Sequence, residues 1–198
     1  QVLQIFQREL RKHKASCHKL LSILSMPLNL VWEILLPAMH KMALPENAKA
    51  RDALREKLKS LKLPTVKGES SSPFAQQNVD AKYNFSDNSY GFQSVTLEFK
   101  QNATRISMQS KNGERQLAVG FETWENNQIP FISTKPEPVA ASGAWVTPDQ
   151  FRVKVYAYET PYMQQIDFHF MGDRLLFNLA FNVSFGDREW EQLEAIHE

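Results

Sequence analysis

The sequence predicts a mainly β protein, an antiparallel meander of about eight strands preceded by two or three N-terminal helices. Three observations predict it. Apolar residues recur at helical spacing up to about residue 62, and at a spacing of two from about residue 92 to residue 185. A stretch rich in Ser, Pro, Gly and Gln, "PTVKGESSSPFAQQN" at 64–78, separates the two patterns. Turn signals such as Asn112–Gly113 and Gly172–Asp173 fall between the alternating runs.

The N-terminal elements follow from apolar spacing. Val2, Ile5, Phe6 and Leu10, then Leu20, Leu21 and Leu24, place helix within 2–25. "LNLVWEILL" at 28–36 reads as a short helix, apolar nearly all round, that Pro37 ends. Such a helix requires a cover: a neighbouring sheet, a missing domain or a second copy. A better-marked helix follows over 47–62, with Asn47 as its N-cap and Leu54, Leu58 and Leu61 as its apolar stripe. The chain therefore divides into a helical segment, 1–63, a linker, 64–79, and an antiparallel β-domain, 80–198.

Within that β-domain one face takes Val95, Leu97 and Phe99, then Ile106 and Met108, then Leu117, Val119 and Phe121. Asn112–Gly113 is the strongest hairpin signal and Asn126–Asn127 a weaker one. Ala144–Val146 follows, then Phe151, Val153, Val155 and Ala157. Ile166, Phe168 and Phe170 continue the pattern, and so do Leu175, Phe177, Leu179 and Phe181. Consecutive hairpins of this length curl into a barrel-like or lipocalin-like wall.

Composition sets bounds. With 198 residues and 42% hydrophobic content, the chain forms a core without a metal or a disulfide. Cys17 is the only cysteine, so no internal disulfide forms, and a cysteine-based zinc site is not expected. Residues 1–62 carry 12 Lys/Arg against 5 Asp/Glu, and the remainder 11 against 17, so a basic start precedes an acidic barrel. Basic residues are not interleaved with aromatics there, so no nucleic-acid partner is expected. The apolar run after "RKHK" is broken by Pro27, Asn29, Glu33 and Pro37, so no stable membrane span is expected.

Catalytic patterns are weak. Ser16-Cys17-His18-Lys19 fits S-x-x-K, where the lysine one turn later helps deprotonate the serine, but the companion motifs are missing and chance explains the match. Cys17 beside His13 and His18 reads as a bystander thiol. The five histidines form no metal-ligand spacing. In "YMQQIDFHF", Gln165, Asp167 and His169 take the solvated face, which makes Asp167 and His169 a surface pair rather than a dyad. Asn182 in "FNVSFG" reads as a turn lock. Glu159, beside Pro161, is expected to cap turn amides. The ligand-contact candidates are Trp145, Tyr158, Glu159 and Asn182; no catalytic residue, metal or cofactor is assigned.

Several stretches together carry a resemblance: "LVWEILLPAM" (30–39), "SVTLEFKQNATRISMQSKNGERQLAVGFETW" (94–124), "AASGAWVTPDQFRVKVYAYETPY" (140–162) and "GDRLLFNLAFNVSFG" (172–186). Their marks include Trp32, Glu33 and Pro37, Gly143-Ala144-Trp145, Tyr158-Glu159-Thr160-Pro161, Gly172-Asp173-Arg174 and Asn182. With these the chain resembles the C-terminal portion of bacterial β-lactamase-related serine hydrolases, penicillin-binding-protein-like enzymes whose catalytic domain comes first. The catalytic serine, lysine and tyrosine of that family lie in a domain absent from this sequence. The resemblance thus implies a non-catalytic accessory β-domain of a bacterial protein, cytoplasmic or periplasmic. Its implied partner is a serine hydrolase catalytic domain or another copy of itself. The alternative is a lipocalin-like barrel that binds a small apolar ligand between its Phe and Trp side chains.

Overall fold

Helical and extended periods segregate into two units, Gln1–Leu63 and Pro64–Glu198. This computed structural model describes residues 28–39, 45–77, 80–100, 103–184 and 187–198. The helix expected within 2–25, with Ser16, Cys17 and Lys19, lies outside the described residues.

In the first unit, Val31–Leu35 forms a π-helical segment, with Leu36 N–H donating to Val31 C=O at 2.8 Å. The better-marked helix is α1, Ala48–Ser60. Its N-cap is Asn47, whose Oδ1 accepts from Ala50 N–H at 3.0 Å, the capping chemistry the sequence signals.

The second unit is a barrel of ten strands: β1 Asp80–Phe85, β2 Phe92–Phe99, β3 Ala103–Ser110, β4 Gly113–Gly120, β5 Glu125–Pro130, β6 Pro136–Thr147, β7 Gln150–Tyr156, β8 Met163–Met171, β9 Arg174–Phe181 and β10 Leu193–His197. Sequence neighbours pair antiparallel, apart from β4 and β5, and β10 returns to pair with β1, in the order β4-β3-β2-β1-β10-β9-β8-β7-β6-β5. The meander predicted from alternation is therefore present and closed, with ten strands instead of about eight. Three strands lie outside the apolar runs read from the sequence: β1, which precedes residue 92, β5, which is mostly polar, and β10, which has five residues.

The predicted inward set is the core. Val95, Leu97, Val153, Phe168, Leu175 and Phe177 are buried, while Asp167 and His169 fall on the outer face. Two hairpins sit where the turn signals place them: Ser110 pairs with Gly113, whose φ of 107° suits only glycine, and Met171 pairs with Arg174 around Gly172–Asp173. The weaker signal at Asn126–Asn127 marks strand instead, since both residues lie inside β5.

Closure occurs at a narrow seam. Gly120 of β4 bridges Ser142 of β6, and Ser142 Oγ donates to Gly120 C=O at 3.2 Å. β5 fills the remaining gap through one side chain. Asn127 Oδ1 accepts from Ala118 N–H at 2.8 Å, and Asn127 Nδ2 donates to Ala118 C=O at 2.9 Å. The amide thus copies the two bonds a paired peptide would make to β4. β6 approaches closely because Gly143 lacks a side chain: a Cβ there would stand 2.7 Å from Val119 Cγ1 and 2.9 Å from Phe151 Cζ.

One barrel end is packed shut. Residues 64–77, read from composition as linker, lie against the barrel. Glu69 and Trp145 exchange two backbone hydrogen bonds of 2.9 Å each, and Val66 is buried. A short helix, α2 Pro73–Gln77, starts with Pro73 in its first turn and Ser72 Oγ accepting from Ala75 N–H at 3.1 Å. The Ser-Pro signal is therefore a helix start. It places Phe74 against Phe170, stacked at 4.2 Å, beside Trp145, Phe99 and Phe151.

Two outcomes follow. Asn127→Ala should lower unfolding stability by about 1 kcal/mol, since water reaches part of the seam, and Gly143→Ala by about 1–3 kcal/mol through overpacking, both read from urea unfolding. Tyr83 is fully buried with its hydroxyl unpaired, and burial, with a smaller contribution from Asp173, pushes its pKa up to about 12. Its neutral form is thus favoured in the folded state. The stability this contributes is whole below the unfolded tyrosine pKa near 10 and is lost as pH rises to about 12. Tyr83→Phe should remove that alkaline loss in pH-dependent denaturation.

Candidate ligand cavity

The aromatic plug fills one end of the barrel; the other end is hollow. A cavity of about 250 Å³ lies among the upper halves of the strands. Its walls are aliphatic: Ile106, Leu117, Ile166 and Leu179. Phe92, Phe131, Phe181 and Trp190 form its aromatic lining. The closed end differs in having Phe74 of α2 packed into its ring cluster.

The mouth is held by two loops. Asn88 bonds three backbone groups of its own loop: its Nδ2 donates to Ser86 C=O and Phe92 C=O at 2.8 Å each, and its Oδ1 accepts from Phe92 N–H at 3.1 Å. That loop presents Tyr90, which stacks on Trp190 at 4.2 Å and accepts from Glu191 N–H at 2.9 Å. Trp190 is pinned in turn, its N–H donating to Leu179 C=O at 2.9 Å. The aromatic rim is therefore positioned by backbone bonds as well as by packing.

Two polar side chains share this lining, Arg115 and Gln164. Arg115 is in phase with buried Leu117 and Val119 of β4, and Gln164 with buried Ile166 and Phe168 of β8. Neither makes a hydrogen bond or an ion pair among the described residues. The remaining acid–base groups of β8 face outward. Asp167 takes Arg152 at 2.6 and 3.2 Å and Gln165 at 2.9 Å. His169 meets Asp149 at 3.0 Å. The Thr147 hydroxyl and then His169 hold the Asp149 carboxyl below its ordinary pKa. Asp167 and His169 thus have separate partners, as their position on the outer face implies. Among the described residues, no cluster of three or more His, Cys, Asp or Glu suits a metal, and no helix is long and apolar enough to cross a membrane.

The four ligand-contact candidates from the sequence do not converge. Trp145 is 2% exposed and belongs to the closed end. Tyr158, 52% exposed, and Glu159 sit in the β7–β8 turn at the hollow end, outside the cavity lining. Asn182 locks that turn: its Oδ1 accepts from Met163 N–H and its Nδ2 donates to Pro161 C=O, both at 2.8 Å. Turn closure, expected of Glu159, is carried by Asn182 and by Thr160, whose N–H and hydroxyl both donate to Ala157 C=O. Arg115 carried a sequence signal that was missed, a charge in phase with the buried residues of its strand.

No family model matches the sequence, and no curated protein matches it, so nothing in these comparisons links the chain to β-lactamase-related serine hydrolases. Among solved structures, the chain is similar to the crystal structure of a fatty acid-binding protein from Drosophila melanogaster brain tissue. The two share 10% identity with a TM-score of 0.40, over 60% of this chain and 96% of that one. The strand pairing itself defines the closed antiparallel barrel.

Asn182→Ala should cost about 1–2 kcal/mol in urea unfolding, through the orphaned turn groups. The same variant should leave binding of an apolar probe in the cavity unchanged, which separates turn locking from ligand contact.

Proposed function

We propose that the barrel is a non-catalytic binding module that takes a small, largely apolar ligand into the cavity at its hollow end. The observation that carries this reading is the cavity itself, apolar in its walls, lined with aromatics and holding only two polar side chains. Size narrows the ligand. An engineered apolar cavity of about 150 Å³ holds benzene, so this one suits a body on the order of ten carbon atoms.

The accessory-domain role implied by the serine-hydrolase resemblance is the second reading, and the quoted sequence marks support it. Several of those marks have work to do within this barrel: Gly143 at the seam, Trp145 in the plug, Gly172–Asp173 in a hairpin and Asn182 in the turn. A purified serine hydrolase catalytic domain that binds this chain in a pull-down would favour it.

The cavity reading is tested with N-phenyl-1-naphthylamine, a neutral fluorophore that brightens in apolar surroundings. The wild-type chain should bind it saturably. Met108→Trp, which narrows the cavity from a half-buried position, should weaken binding about tenfold while the chain stays folded by circular dichroism. No fluorescence gain, or equal gain in the variant, would contradict the reading.

A further inference from the structure

We infer that the ligand is an amphipathic anion, its apolar body in the cavity and its carboxylate on Arg115; this rests on the apolar-ligand reading above. Three features of Arg115 point there. It takes the inward phase of β4, opposite Met108 and in line with Leu117 and Val119, where alternation calls for an apolar side chain. It lines the cavity and is also solvent-exposed. Its side chain makes no hydrogen bond or ion pair among the described residues, so its charge has no carboxylate partner there.

The chemistry selects the ligand. An inward arginine forfeits the apolar burial that a leucine or valine would contribute at this position. A protein carboxylate does not offset that loss here. A ligand carboxylate can offset it, because the guanidinium presents a planar fork of donors matched to two carboxylate oxygens. The mouth suits the exchange, since the head group keeps part of its hydration while the tail leaves water. The charge of the arginine excludes a cationic head group. A neutral alcohol of equal length offers one oxygen and no opposing charge, so it forgoes the bidentate ion pair. Gln164, the other polar lining residue, is neutral and lies on β8, so it does not alter the sign of the site.

The test compares decanoate with 1-decanol as displacers of N-phenyl-1-naphthylamine from wild type, Arg115→Gln and Arg105→Gln. Arg105 lies on β3 with an exposed side chain out of phase with the buried Thr104 and Ile106, so it controls for the loss of one positive charge. Wild type should bind decanoate at least tenfold more tightly than decanol. In Arg115→Gln decanoate affinity should fall until it no longer exceeds that variant's own decanol affinity, and Arg105→Gln should keep the advantage. Raising salt should weaken decanoate binding and leave decanol binding unchanged. If decanol and decanoate bind wild type equally, or if Arg105→Gln acts like Arg115→Gln, the head-group assignment fails and the cavity reading stands. If neither compound displaces the probe, both fail. A thermal melt of each variant confirms that the barrel is intact.

Discussion

A sheet that curls on itself loses its edges only where its two ends meet, and here they meet across very little backbone. The ring of strands joins through the pair Gly120–Ser142, with a serine hydroxyl added beside it. Beside that pair stands Asn127, whose side-chain amide takes the place of a missing strand neighbour for Ala118. Unpaired edge groups would otherwise face solvent or another chain, the ordinary hazard of an open sheet. Gly143 permits the approach and the asparagine seals it, so barrel closure depends on a few small or amide side chains and not on a long ladder.

Closure then decides where space is left. A barrel of this girth can be filled by its side chains or kept hollow, and this chain does one at each end. At the closed end, α2 presents Phe74 to the cluster of Trp145, Phe99, Phe151 and Phe170. At the other end, isoleucine, leucine and methionine line the wall, and the clasp of Tyr90 on Trp190 holds the rim. The hollow is therefore a property of the folded wall, so a ligand entering it need not reorganise the core.

Much of this architecture was legible in the sequence. Alternation in β2, β3, β4 and β7 to β9 marks both the strands and their inward faces, because burial on one side of a sheet imposes a period of two, whereas for β6 only Ala144–Val146 near its end is marked. Three features were not legible. β5 is mostly polar, and its Asn127 closes a seam, which no periodicity marks. "SSSPF" has the composition of a linker, yet Ser72 and Pro73 form a helix start, and composition cannot distinguish the two. Of the ligand-contact candidates, Trp145 lies in the plug and Asn182 in a turn, outside the cavity lining, since chemical type does not reveal which end of a barrel a residue occupies. Arg115 was legible in principle, as the one strand position where charge breaks the inward phase of β4.

The central claim is that the closed barrel holds a preformed apolar site at one end only. Methyl-labelled NMR titration with a neutral ten-carbon alcohol tests it most directly. The account expects saturable shifts at Ile106, Leu117, Ile129, Ile166 and Leu179, which line the hollow end, and none at Leu175, which pairs with Phe170 at the plugged end. Shifts spread over the outer surface, shifts centred on Leu175, or no saturable shift at all would contradict it.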